Sequence, residues 1–155
     1  MTSSVRIVEI TAAETHPLRT AVLRGGDPTR PVTFDLDAHP ESVHLGALDE
    51  ADELVAVSSW MPNPIADFPE HRSIQLRGMA TAAEAQSTGI GGALFEAGVE
   101  RATARGFTLI WARARDSALS FYDRHGCTVI GDGFIDDTTR LPHHVVVRRT
   151  ETSLP

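Results

Sequence analysis

Lysine is absent from this chain, and all 14 of its basic residues are arginines. No side-chain amine is available for modification, and no lysine can stand in a phosphate-binding turn, which removes the nucleotide-binding proteins that depend on one. Cysteine is nearly absent too. The single Cys127 cannot form an internal disulfide, and its place in an apolar run with Val129 suits a buried structural thiol. No apolar run approaches the length needed to cross a bilayer, and the opening MTSSVRIVEI has neither a basic n-region nor an apolar h-region. The expectation is a cytoplasmic protein with no membrane partner. Positive charge is also short: the formal net charge is −7. Clustered cations are what nucleic-acid binding relies on, so a nucleic-acid partner is not expected, and cationic partners such as amines are mildly favoured.

What remains is ordinary globular material. With 155 residues, 41% hydrophobic and 23% charged, the chain reads as one domain over 1–155 that can bury a core without staples. Its organising stretch is Gln75 to Arg105, QLRGMATAAEAQSTGIGGALFEAGVERATAR. Leu76, Met79 and Ala80 form a short apolar run, a polar turn follows, and Gln86-Ser87-Thr88-Gly89-Ile90-Gly91-Gly92 leads into apolar residues at helical spacing (Ile90, Ala93, Leu94, Ala97). The pattern is strand, glycine-rich turn, helix. A helix start exposes unpaired N–H groups and the positive end of the macrodipole, so this turn is an anion site.

Elsewhere the punctuation is clear in most places. Val5 to Ile10 alternates as a strand, and Thr15 is expected to cap a short helix over Leu18 to Leu23 with Pro17 in its first turn. Residues 24–40 hold glycines and prolines in a turn-rich passage placed over a site. Strands are expected at 42–48, 54–60, 74–81 and 107–112, with a polar hairpin at 49–52 and a proline-bearing loop at 61–72. Asp116 or Ser117 is expected to cap a helix over 118–125, and two last strands at 127–130 and 145–149 are separated by a glycine pair and a polar loop. A mixed α/β sheet with helices on both faces is implied, with a parallel crossover around the long helix. Asp35, Asp37, His39 and His44 are metal-like residue types at no metal-ligand spacing, so no metal is expected and a solvated loop face is read there.

Two motifs resemble the GNAT family of N-acetyltransferases, which move an acyl group from acyl-coenzyme A to an amine. Gln86-Ser87-Thr88-Gly89-Ile90-Gly91 matches the family's Gln/Arg-x-x-Gly-x-Gly/Ala, and Ala118, Phe121, Tyr122 and Gly126 match its second motif. The order of elements from Val5 to Arg149 is similar as well. The resemblance implies an α+β fold with a mixed, mostly antiparallel sheet, a splayed parallel strand pair, and acetyl-CoA as co-substrate. It implies that main-chain N–H groups from Gln86 to Gly92 hold the pyrophosphate, that Met79, Ala80 and Thr81 run along the pantetheine, and that Tyr122 is the acid for the departing thiolate. On the same grounds Arg115, Ser117 and Phe121 belong to the cofactor side, although Arg115 stands where the family has asparagine and Cys127 where it has phenylalanine. A homodimer is a common arrangement in such families.

The acceptor half is less defined. Attack requires a neutral amine, from a small molecule or a peptide, and an ordinary alkylammonium must first lose a proton. The family often keeps Glu or His on the strand that here carries Gln75 and Arg77, and neither of these can act as a base. Glu84, or His143 and His144 in the expected last loop, are the substitutes, and His143 is taken as the base. Arg77 can pair with a carboxylate on the acceptor or on a larger acyl group, with Gln75 beside it. An acyltransferase and an acyl-CoA-binding domain without turnover are the two functions that these residues admit.

Overall fold

The structure is a computed structural model and describes residues 5–150, so the expected domain over 1–155 extends past it at both ends. Seven strands form one sheet: β1 (Arg6–Ile10), β2 (Val43–Leu48), β3 (Leu54–Pro62), β4 (Ser73–Thr81), β5 (Leu109–Arg115), β6 (Thr128–Ile135) and β7 (Pro142–Arg149). Their spatial order is β1-β2-β3-β4-β5-β7-β6. Every neighbouring pair is antiparallel except β4 and β5, which are joined by helix α2 (Ile90–Ala104). That is the expected parallel crossover, since parallel neighbours need a connection long enough to return to the same end of the sheet.

Helices lie on both faces. On one, Leu94, Phe95, Val99 and Ala102 of α2 pack on Leu45, Trp60, Leu76 and Ile110 of the sheet. The approach is close because Gly98 has no side chain: a Cβ there would lie 1.9 Å from Trp60 Cζ2. Phe95 is fully buried and meets the rings of Trp60, Phe121, Tyr122 and His125 at 5.8, 6.0, 6.1 and 5.4 Å. Edge and tilted aromatic pairs of this kind each add about 0.5–1.5 kcal/mol beyond burial, and here they tie helix α3 (Leu119–Arg124) to α2. A smaller apolar cluster of Ile65, Leu109, Trp111 and Val147 covers part of the opposite face.

Helix α1 (Ala12–Leu18) starts four residues earlier than expected. Thr11, not Thr15, is its cap. The Thr11 hydroxyl accepts from the Glu14 amide and Glu14 returns a bond to the Thr11 amide, a reciprocal capping box. Thr15 is buried within the helix and bonds back to the Ala12 carbonyl. Pro17 sits near the helix end and not in its first turn, and a π turn (Arg19–Leu23) follows it. Proline has no N–H to continue the i→i−4 ladder, so a change of hydrogen-bond pattern after it is expected physically.

Buried Arg19 in that π turn organises the α1 face. Its guanidinium bonds Asp37 through both nitrogens (2.9 and 3.0 Å) and also Ser59 and the Val32 carbonyl. His44 joins through Ser59 and the Asp37 carbonyl. The Asp37 and His44 group is therefore a buried structural network, where the sequence suggested a solvated loop face. Burial alone would raise the Asp37 pKa, and the bonds from Arg19 and from the Phe34 amide outweigh it and hold it low.

Three further boundaries differ. Neither Asp116 nor Ser117 caps a helix; a 3₁₀ turn (Asp116–Ala118) precedes α3, and Asp116 instead accepts from His144 at 2.6 Å. β5 begins at Leu109 and runs on to Arg115. β6 continues through Gly131 and Gly133, with a register shift between Ile130 and Phe134 that absorbs the extra residues. Gly106 and Gly126 take the left-handed φ (87° and 81°) after α2 and α3, as expected of C-terminal glycines.

Candidate active site

β4 and β5 pair over only three residues, Ser73–Gln75 against Leu109–Trp111. Beyond Gln75 they separate, because β4 bulges away. Ser58 of β3 faces both Gly78 and Met79 at a register shift, and Gly78 adopts φ +62°. A Cβ at Gly78 would meet the Phe34 ring at 2.8 Å and Arg19 Nε at 3.0 Å, so glycine is required here by space and by φ. The β4 backbone after Gln75 has no strand partner on the β5 side. Two cavities flank the opening, and Met79, Ala118 and Tyr122 line both of them.

The first, about 740 Å³, lies over the glycine-rich turn and is lined by Thr81, Gln86, Ser87, Gly89, Gly91 and Gly92. Gly89 (φ 87°) precedes α2 without a side-chain cap, and the first intrahelical bond runs from Ala93 N–H to the Gly89 carbonyl. Amides ahead of Ala93 are therefore free to meet an anion. Ser87 also adopts positive φ, 65°. Phe121 joins the wall as expected. At three of the expected cofactor positions the side chain is turned away from the groove, with Ile90 and Ala80 in the core and the Thr88 hydroxyl on the Ala85 carbonyl, and the expectation there concerns the main chain. Ser117 is exposed and lines neither cavity.

Glu96, Arg124 and His125 also line this groove, and the sequence reading did not find them. Glu96 accepts from His125 Nδ1 (2.8 Å) and Arg148 (3.1 Å). These partners outweigh its desolvation and lower its pKa. The pairing joins α2, α3 and β7, a contact invisible from local sequence.

The second cavity, about 580 Å³, lies across the opening and brings together Gln75, Arg77 and His143, expected on the acceptor side or as base, with Arg115, which was expected on the cofactor side and does not line the groove over the glycine-rich turn. Gln75 is buried and accepts from Asn63 Nδ2 at 2.9 Å. His143 is buried on β7, not in a loop, and stacks beside Phe134 at 5.8 Å. Its Nδ1 lies 2.8 Å from the Leu141 carbonyl. A carbonyl only accepts, so Nδ1 carries the hydrogen and the neutral ring has its lone pair at Nε2. His144 is engaged by Asp116 and Glu84 is exposed, and neither lines a cavity.

Arg77 stacks on the Phe34 ring at 4.0 Å, with Arg19 on the same ring at 4.1 Å. Desolvation, then repulsion from Arg113 and Arg19, lowers its pKa. Leu23, Arg24 and Phe34 complete one wall, so two residues of the 24–40 passage line this cavity. Arg24, Arg113 and Asp136 are cavity residues that the sequence reading missed. The signal for Arg113 was present: Trp111, Arg113 and Arg115 alternate with buried Ala112 and Ala114, which puts them on one face.

Tyr122 is buried between the two cavities. Burial pushes its hydroxyl well above the ordinary phenol value, and the Cys127 thiol adds to the shift. Cys127 itself is buried and raised to about 11, in keeping with a structural thiol. Among the described residues no group of three His, Cys, Asp or Glu side chains is placed to hold a metal, and no helix is long and apolar enough to cross a membrane.

Known structures share this architecture. An acyl-CoA N-acyltransferase from Pseudomonas aeruginosa superposes with a TM-score of 0.73 at 20% identity, covering 94% of this chain and 99% of its own. FeeM, an N-acyl amino acid synthase from uncultured soil microbes, gives 0.76 at 12% identity (96% and 92% covered). An aminoglycoside 6'-N-acetyltransferase complexed with coenzyme A gives 0.71 at 15% identity (97% and 99%). At these identities the likeness shows the fold alone. No curated protein is significantly similar in sequence. The family model described as Acetyltransferase (GNAT) family matches residues 10–127, a span that holds both sides of the β4–β5 opening, and the chain belongs to that family.

Proposed function

We propose that this chain is an N-acyltransferase that moves an acetyl group from acetyl-CoA to an amine by direct attack in a ternary complex. One observation carries the reading: a groove over the free amides of α2 and a polar cavity meet at the β4–β5 opening, with Tyr122 and Met79 common to both. The groove fits coenzyme A, whose pyrophosphate suits the α2 start and whose pantetheine amides suit the unpaired edge of β4. In this reading a β4 N–H near Met79, which lines both cavities, stabilises negative charge on the thioester oxygen. His143, through Nε2, takes the proton that the amine loses as its nitrogen bonds the carbonyl carbon.

The C–S bond then breaks. Because burial raises the Tyr122 pKa, far above the value near 8.5 of a free thiol, the phenol keeps its proton. Its part is a hydrogen bond to the departing sulfur, where the sequence suggested full proton donation. The proton that completes the thiol is the one released by the amine. A cytoplasmic location fits this donor.

Thiol release from acetyl-CoA across a panel of amines tests the reading. Amine-dependent release is expected, with Tyr122→Phe lowering kcat roughly ten- to a hundredfold, as for one hydrogen bond to a charged group, at unchanged CoA affinity. Equal kcat in that variant removes Tyr122 from the reaction. CoA binding without transfer to any amine would favour a domain that holds acyl-CoA without turnover.

A further inference from the structure

Four arginines from three separate parts of the chain converge on the acceptor cavity: Arg24 beyond the π turn, Arg77 on β4, and Arg113 and Arg115 on β5. This happens in a chain whose formal net charge is −7. Among the described residues, the arginines in ion pairs are Arg6, Arg19, Arg72, Arg101 and Arg148, so none of the four cavity arginines has a carboxylate within pairing distance. The nearby acids are committed or outnumbered. Asp37 is bound by Arg19, Asp35 is exposed, and of the two acids in the lining Asp136 accepts from the Thr138 and Thr139 amides at 3.0 Å each, which leaves Asp137.

These guanidiniums repel one another. Arg77 is lowered by desolvation and then by Arg113, and Arg24 by desolvation and then by Arg30 and Arg115. Asp37 and Asp35 at Arg77, and Asp136 at Arg24, offset this only in part; the remaining repulsion costs stability, and an anionic ligand would relieve it. Phe34 supports Arg77 from one side, and its ring lies where a Cβ at position 78 would clash, so the glycine there makes room for it. Apolar surface from Leu23, Trp111 and Phe134 lies in the same cavity.

Resting on the acyltransferase reading above, we infer that the acceptor is an amine that carries a carboxylate, of the amino-acid class. The carboxylate is held by the arginine cluster, of which Arg77 and Arg115 are members from two different strands, and the amine points to the β4–β5 opening. A planar guanidinium matches a carboxylate with two parallel hydrogen bonds, and an apolar wall suits the body of such a molecule.

The test compares matched acceptors: phenylalanine with phenethylamine, alanine with ethylamine, and phosphoethanolamine as a phosphate-bearing amine. Each is assayed by thiol release from acetyl-CoA, with succinyl-CoA as a second donor. In parallel, 3-phenylpropionate and inorganic phosphate, which cannot be acetylated, are titrated by calorimetry. The carboxylated member of each pair is expected to show at least tenfold higher kcat/KM. In Arg77→Gln and Arg115→Gln that ratio collapses towards one, 3-phenylpropionate binding is lost, and retained CoA binding shows that the variants fold.

Equal or faster turnover of the uncharged amines overturns the inference. So does tighter binding of phosphate than of 3-phenylpropionate with preference for phosphoethanolamine, or a preference for succinyl-CoA with uncharged amines, which would put the carboxylate on the acyl group. If no amine releases thiol while 3-phenylpropionate binds through the arginines, the acyltransferase reading fails and the carboxylate site stands.

Discussion

Gly91→Ala should make the protein more stable and its coenzyme A affinity weaker, a pair of opposite signs that few substitutions produce. Gly91 is the second residue of α2 and has ordinary helical φ, so alanine adds no backbone strain. Its Cβ would lie 3.5 Å from Met79 Cε, 3.8 Å from Phe121 Cε1 and 3.9 Å from Thr81 Oγ1. These are normal contacts, so nothing must move. Replacing glycine by alanine in a helix gains up to about 0.5–1 kcal/mol. For a domain of this size that is a rise in Tm of roughly 1–4 °C.

The same methyl group stands among Met79, Thr81 and Phe121, which all line the groove, and so keeps a phosphate away from the amides. Weakening one or two hydrogen bonds to a charged oxygen costs on the order of 1.5–3 kcal/mol, or roughly 10- to 150-fold in Kd. Gly89→Ala is the comparison: its Cβ meets nothing within 4 Å, but φ is +87°, so it should lose about 1–2 kcal/mol of stability through strain alone. Thermal melts and calorimetric titration of CoA read both quantities. Undiminished CoA affinity in Gly91→Ala would refute the placement of the phosphates, and a lowered Tm would refute the claim that the space beside Gly91 is open.

Two further outcomes test the frame around the site. Gly98→Ala puts a Cβ within 2.0 Å of two indole carbons of Trp60, and overpacking of this kind costs about 1–3 kcal/mol; denaturant melts should show it, with Trp60→Phe in the same chain recovering part, and wild-type stability would sink the packing argument. Asp37→Asn should cost about 3–5 kcal/mol by leaving buried Arg19 without its counter-charge. Because the folded Asp37 pKa is depressed, the wild-type contribution is fully present above the unfolded value near 3.9 and fades as pH falls below it. The variant should lack that part of the acid limb, and identical acid melts would show that Asp37 does not hold the network.

The glycine-rich turn and helix start were legible because they are local. They lie within a few residues of one another, and Gly89, Gly91 and Tyr122, which the motifs pick out, line one groove. The strand order around α2 followed from the same stretch. What failed were contacts between distant residues. Thr11 was overlooked as a cap although Glu14 stands three residues on; the apolar residues at Leu18 to Leu23 drew the helix too far along the chain. His143 looked like loop because Pro142 precedes it and Asp136 to Arg140 is polar, yet β7 opens at that proline. Pro142 occupies a strand's first residue, where a missing N–H costs little.

Net charge says less than its distribution does. A total of −7 mildly favoured cationic partners such as amines, and the cavity assigned to the amine nevertheless gathers arginines. Position decides this, not the sum. The same cluster bears on the base that the family's strand positions do not provide here. An ammonium that enters beside four guanidiniums is destabilised relative to its neutral form, and each unit of depressed amine pKa gives tenfold more neutral nucleophile. One carboxylate occupies the fork of one or two arginines, which leaves the others to act on the amine. Arg113 is the cation to remove, since it is exposed and shares a face with Arg115. In Arg113→Gln the ascending limb of kcat against pH should move to higher pH, as the bound ammonium holds its proton longer. Wild-type position of that limb would mean that His143 alone frees the nucleophile and that the arginines serve binding only.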